Sequence, residues 1–127
     1  MLTNKILPDV LKTFNATLPD GYGRVIQRDM NHIDPWRFIE TSEEVNDLFE
    51  TMTELYPDAV YLPFARRMDN DDIACVVIKN TDYAPNSIVR VHLFASEGYE
   101  VDEHFTDFWA WFRTAVNEMV DLLETAS

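Results

Sequence analysis

From Phe105 to Leu123 the apolar residues Phe105, Phe108, Trp109, Phe112, Val116, Met119, Val120 and Leu123 recur at the helical period. Trp111, Ala115 and Leu122 widen the stripe along one edge. A helix apolar over half its surface has to lie on a sheet or beneath other helices, because each large side chain that is fully buried contributes roughly 1.5–3 kcal/mol. Trp111 and Leu122 are either flanking core or an oligomer contact, with core the favoured reading. The rest of the chain must therefore supply a layer for this helix to cover.

Three β-type runs can build that layer: Val60 to Ala65, Ile73 to Lys79 and Ile88 to Ala95. In the last, Val89, Val91, Leu93 and Ala95 share one side and Ile88, Arg90, His92 and Phe94 the other. Asn80 to Ser87 joins the later two runs and carries Asp82, Pro85 and Asn86, which reads as an antiparallel hairpin with a long loop. Upstream, Thr41 with Glu44 has the capping-box form and opens a helix with the stripe Val45, Leu48, Phe49, Met52 and Leu55, ended by Pro57-Asp58. Trp36 to Glu40 is a further β-rich run, Asn31 to Pro35 is turn-like, and Tyr22 to Gln27 reads as a short strand. Leu7, Leu11, Phe14 and Leu18 indicate an N-terminal helix with Pro8 in its first turn, stopped by Pro19-Asp20-Gly21. The order helix, two weak strands, helix, three strands, helix predicts an α+β fold. One domain spans residues 1–127, with a mainly antiparallel sheet of about four to six strands and helices covering one face.

Charge narrows the function. A hydrophobic fraction of 46% marks a packed protein, and the formal charge of −13 repels nucleic acid, whose binding needs Lys and Arg against phosphates. The same field disfavours anionic membranes and attracts a cationic partner, although solubility alone also accounts for it. The N-terminal residues lack the apolar core of a signal peptide and no run is long enough to span a bilayer, so a cytoplasmic location is expected. The single cysteine, Cys75, lies in the apolar run Ile73 to Ile78 and reads as a small buried hydrophobe.

Motifs that carry chemistry are missing. No HExxH, CxxC, GxSxG, P-loop or GxGxxG occurs, and His32, His92 and His104 lie far apart. His32 with Asp34, or His92, gives only a weak case for a metal or acid–base site; neither a cofactor nor a metal is expected. Asp69-Asn70-Asp71 looks superficially like a calcium loop or a DxD motif. It lacks the glycine and terminal glutamate of the former, and the chain is too short for the latter. The plain reading is a β-turn in which Asp and Asn side chains cap their own backbone.

The run Tyr61-Leu62-Pro63-Phe64-Ala65 followed by Asp69-Asn70-Asp71-Asp72-Ile73-Ala74-Cys75-Val76 resembles the SUKH superfamily, in which a Leu/Ile-Pro-Phe-Ala strand leads through an acidic turn to a second apolar strand. Trp36-Arg37-Phe38-Ile39, the strand from Ile88 and the terminal helix with Phe105, Phe108 and Trp109 follow in matching order. Many members place a Gly-Gly-Asp-like turn where this chain has Met68-Asp69-Asn70-Asp71-Asp72, without glycine. The resemblance implies an α+β fold with a mainly antiparallel sheet, no catalytic apparatus, and a role as an immunity protein that binds a cognate polymorphic toxin, often a nuclease. Other members are regulatory or scaffolding interaction modules, which is the alternative here. The residues expected to meet a basic toxin are Asp69, Asn70, Asp71 and Asp72 in the turn and Asp47, Glu50 and Glu54 on the second helix.

Overall fold

The computed structural model describes residues 18–30, 32–95 and 99–125. The N-terminal helix expected from Leu7, Leu11 and Phe14 lies outside them. Helix α1 (Asp20–Gln27) occupies the place expected to be a strand. Pro19, in extended geometry, precedes its first turn, and Tyr22, Val25 and Ile26 bury one face at helical spacing. Gly21 is required by close approach: a Cβ there would sit 2.6 Å from the Phe108 ring and 2.9 Å from that of Trp109. Pro19-Asp20-Gly21 thus starts a helix where the sequence suggested the end of one.

Strands β1 (His32–Ile33) and β2 (Trp36–Phe38) follow, joined through a cis Asp34–Pro35 peptide. Helix α2 (Ser42–Leu55) begins as expected, with the Thr41 side chain accepting a hydrogen bond from the Glu44 amide. Strands β3 (Val60–Arg67), β4 (Asp72–Lys79), β5 (Ile88–His92) and β6 (Val101–Phe105) complete a six-stranded sheet in the order β1-β2-β3-β4-β5-β6, every pair antiparallel. Pro63 lies inside β3, where it has no N–H to give to a ladder, and the register shifts between Pro63 and Ala65. The adjoining Phe64 carbonyl accepts from the Ile39 amide at 2.9 Å.

Three further expectations need correction. Phe105 belongs to β6, and the last helix, α3, spans Phe108–Thr125. Strand β5 stops at His92 rather than running to Ala95, and Phe94 turns with a positive φ of 65°. The helices also cover both faces of the sheet. Side chains alternate along β2: Trp36 and Phe38 meet Trp111 of α3, while Arg37 between them reaches Glu44 of α2.

The face under α1 and α3 is aromatic. Trp111 contacts Trp36, Phe38 and Phe64 at ring separations of 5.5, 5.9 and 5.0 Å, all edge-to-face, a geometry that favours ring pairs beyond simple burial. This interlock sets the rotation of α3. Phe108, Trp111 and Ala115 are its buried residues, whereas Trp109, Val120 and Leu123 of the expected stripe are 38%, 40% and 65% exposed. Trp111 is core and Leu122 is exposed. The opposite face is mainly aliphatic, with Val45, Leu48 and Met52 of α2 buried and Met52 Sδ lying 3.7 Å from Cys75 Sγ of β4.

Candidate functional site

The acidic turn between β3 and β4 is built by its own side chains. Asn70 Oδ1 accepts from the Asp72 amide at 2.8 Å, the local capping expected of Asx residues. Asp69, exposed, accepts from Arg67 Nε at 2.7 Å. Asp71 is exposed as well. Asp72 is different: it opens β4, is only 2% exposed, and points into the sheet face that carries α3. Its two oxygens take Arg90 Nε and His92 Nδ1, each at 2.7 Å.

The Asp72 contact is one end of a longer network. Arg90 also approaches Asp102 at 3.3 Å and Glu118 at 3.8 Å, and its guanidinium lies 5.8 Å from the centre of the Trp36 ring. Glu118 on α3 accepts from Trp36 Nε1 at 3.3 Å and forms an ion pair with Arg67. Burial pushes the Asp72 carboxyl up, but the hydrogen bonds from His92 and Arg90 and their charges outweigh it and hold the group below its ordinary range. The bond to Asp72 in turn raises His92. Glu118 gave no sequence signal, since it sits on the polar side of a periodic stripe and finds its partners only through tertiary packing.

The second acidic group is organised in the opposite way. Asp47, Glu50 and Glu54 follow one another at steps of three and four residues, so they form a line on one exposed side of α2, away from buried Val45, Leu48 and Met52. Among the described residues none of these three carboxylates forms an ion pair. Like charges at this spacing cost a helix about 0.2–0.5 kcal/mol per pair, and no internal contact offsets it. At the start of the helix, Glu44 is bound by Arg37 through both its oxygens, at 3.0 and 2.5 Å, and by Arg66 at 2.9 Å. Burial raises this carboxyl, and the two arginines more than reverse that, so its pKa is lowered overall.

The structure therefore does not gather the seven residues singled out in the sequence into one patch. Asp69, Asn70 and Asp71 face outward at one sheet end, Asp72 is held inside, and Asp47, Glu50 and Glu54 line α2. Arg37, Arg66, Arg67 and Arg90 each reach a carboxylate of the fold, while Arg24, Arg28, Lys79 and Arg113 are exposed among the more numerous acids.

His32 and Asp34 are exposed on either side of Ile33, and His104 stacks on Tyr83 at 4.6 Å. Among the described residues no group of three or more His, Cys, Asp or Glu side chains could hold a metal ion. Cys75 is fully buried, which pushes its thiol well up and away from the reactive thiolate. No described helix is long and apolar enough to cross a membrane. No protein-family model, curated protein or solved structure matches this chain.

Proposed function

We propose that this chain is a non-catalytic, cytoplasmic binding protein of SUKH type, an immunity protein that neutralises a cognate basic toxin. The observation that carries the reading is the unpaired acidic line of α2, Asp47, Glu50 and Glu54, on a chain whose net charge is −13. A nuclease toxin must present cations to phosphates, and an acidic inhibitor competes for that same surface. Charge then raises the association rate and sets specificity, while a few buried anchors set the lifetime of the complex. The sequence likeness around Leu62-Pro63-Phe64-Ala65 and the acidic turn supports the same reading, as does an α+β fold with an antiparallel sheet.

The test is a pull-down with the tagged protein from its native cells at low and high salt, read by mass spectrometry. A single basic partner encoded beside this gene, retained at low salt and weakened at high salt, is the expected result. Capture of regulatory or cell-wall proteins with no salt dependence would overturn it in favour of a scaffolding module.

A further inference from the structure

Beside the residues that α3 buries against the sheet, one flank of the helix is apolar and open. Trp109, Phe112, Val116, Val120 and Leu123 follow one another at steps of three, four, four and three residues. Phe112 and Val116 are half-buried, whereas Trp109, Val120 and Leu123 are exposed. An apolar row of this length at the helical period is the kind of surface on which a further helix packs. Helix α1 meets its first turn, where Gly21 lies against Phe108 and Trp109.

The chain itself leads to this flank. Leu18 is half-buried against the core and stands three residues before Gly21, a span of at most about 10 Å. Residues 1–17 therefore join the described structure close to the first turn of α3. In the sequence, Leu7, Leu11, Phe14 and Leu18 recur at steps of four, three and four. Set antiparallel from that junction, Leu18 falls level with Trp109, Phe14 with Phe112, Leu11 with Val116 and Leu7 with Val120. Each row advances 11 residues, about 17 Å as a helix. Charge agrees with the alignment. Residues 1–17 carry Lys5 and Lys12 against Asp9 alone, in a chain with 10 basic and 23 acidic residues. Lys5 falls level with the exposed Asp121 and Glu124, at the negative end of the α3 dipole. A second copy of the chain would bring a like net charge of −13 to the same face. It would also lack the tether at Leu18, which gives an attached segment a high effective concentration.

We propose that the open flank of α3 is a docking surface for residues 1–17 of the same chain, which lie antiparallel along it as a helix and cover it with Leu7, Leu11 and Phe14. The inference stands apart from the binding-protein reading. Its consequence for function is a choice of face. An apolar surface closed by the chain itself is withdrawn from partners, while the acids of α2 and of the β3–β4 turn remain outward.

The experiment places a nitroxide on Thr13→Cys, a position on the side of such a helix opposite Leu11, and reads paramagnetic broadening of the backbone amides of the whole chain. Cys75 is fully buried and escapes the label, which the unsubstituted chain treated with the same reagent checks. The amides of Phe112, Val116 and Val120 are expected to lose intensity, and those of Asp47, Glu50 and Glu54 to keep it. Adding Leu11→Glu should abolish the loss along α3 while the sheet amides hold their positions. Loss centred on α2, or no regional loss, overturns the docking, and an unchanged loss with Leu11→Glu overturns the apolar row as its cause. Equal loss in an isotope-labelled chain without nitroxide, mixed with the spin-labelled one, would assign the face to a second copy and overturn the proposal. The measurement needs no partner, so it can fail while the salt-dependent pull-down succeeds, and the reverse.

Discussion

The two faces of the sheet handle their acidic side chains in opposite ways. Under α3, Asp72 and Glu118 are drawn into contact with Arg90, Arg67 and Trp36, next to an aromatic core centred on Trp111. Under α2 the core is mainly aliphatic, Glu44 is tied down by Arg37 and Arg66, and among the described residues Asp47, Glu50 and Glu54 stand outward without ion-pair partners. Acids on the first face contribute to the fold, as Glu44 does on the second, whereas Asp47, Glu50 and Glu54 form no ion pair among the described residues. The difference separates carboxylates that a partner could engage from those already engaged, a distinction that net charge alone does not make.

The contrast between the faces is most exposed to test at the two cores. Trp111→Ala removes the ring that touches Trp36, Phe38 and Phe64 and should cost about 3–5 kcal/mol in urea denaturation. Met52→Ala on the α2 face should cost about 2–3 kcal/mol, since a flexible side chain leaves a smaller void. If Met52→Ala proves the more damaging, the aromatic face is not the dominant core.

Next in size is the ion network. Asp72→Ala strands Arg90 and should cost about 2–3 kcal/mol near neutral pH, less than a wholly buried pair because Arg90 keeps Asp102 and Glu118 nearby. The pH dependence has a definite sign. Asp72 has a lowered folded pKa, so its contribution is complete above its ordinary value of 3.8 and disappears as pH falls through the folded value. His92 is raised, so its contribution is complete below its ordinary 6.5 and is lost as pH rises through the folded value. His92→Ala should therefore lower the urea midpoint at pH 5 and leave it unchanged at pH 9; an equal loss at both would mean that the ring matters for packing and not for charge.

Smaller still is the cap of α2. Thr41→Ala removes the acceptor for the Glu44 amide and should cost about 1 kcal/mol. Because Glu44 also positions Arg37 and Arg66, the variant tests whether that corner depends on the helix start. Unchanged Arg66 Nε–Hε signals in Thr41→Ala would show that the salt bridges hold the corner unaided.

How much of this was legible in the sequence depended on whether the deciding contacts were local. The cap of α2, the buried Val45, Leu48 and Met52 of its expected stripe (Leu55, at its end, is exposed), the presence of strands β3 to β5 and the Asn70 turn follow from spacing and turn chemistry within a few residues. Helix α1 was hidden because Gly21 and Gly23 depress helix propensity, while the reason for Gly21 lies in the distant Phe108 and Trp109 rings. Strand β6 was hidden because Phe105 falls three residues before Phe108 and fits the helical period, and Asp102, Glu103 and His104 between its apolar ends are those of an exposed strand. The choice between Trp109 and Trp111 as the core residue is made by Trp36 and Phe64, not by α3 itself. For the candidate site, exposure of Asp47, Glu50 and Glu54 could be read from the α2 stripe. The inward turn of Asp72 was accessible through strand alternation, since it shares a side with Ala74 and Val76 and pairs across from His92. The arginine corner could not be anticipated, because Arg37 and Arg66 become neighbours only when β2 pairs with β3.

The smallest expected stability effect is the one that bears most on function. Reversing Asp47, Glu50 and Glu54 to lysine removes no ion pair and no buried contact, so each change should alter folding stability by no more than about 0.5 kcal/mol. The sign should slightly favour the variant: three lysines repel one another as the three acids do, but Asp47→Lys places a cation four residues after Glu43, and Glu54→Lys places one near the negative end of the helix dipole. If the line is a recognition surface, the same triple variant should lose both affinity for the basic partner and the steep weakening of binding with salt, while its urea midpoint stays put. Partner affinity and salt dependence unchanged in the variant would assign the acids of α2 to solubility alone. A large drop in stability would instead reveal that these carboxylates are engaged within the fold, and the contrast between the two faces would be lost.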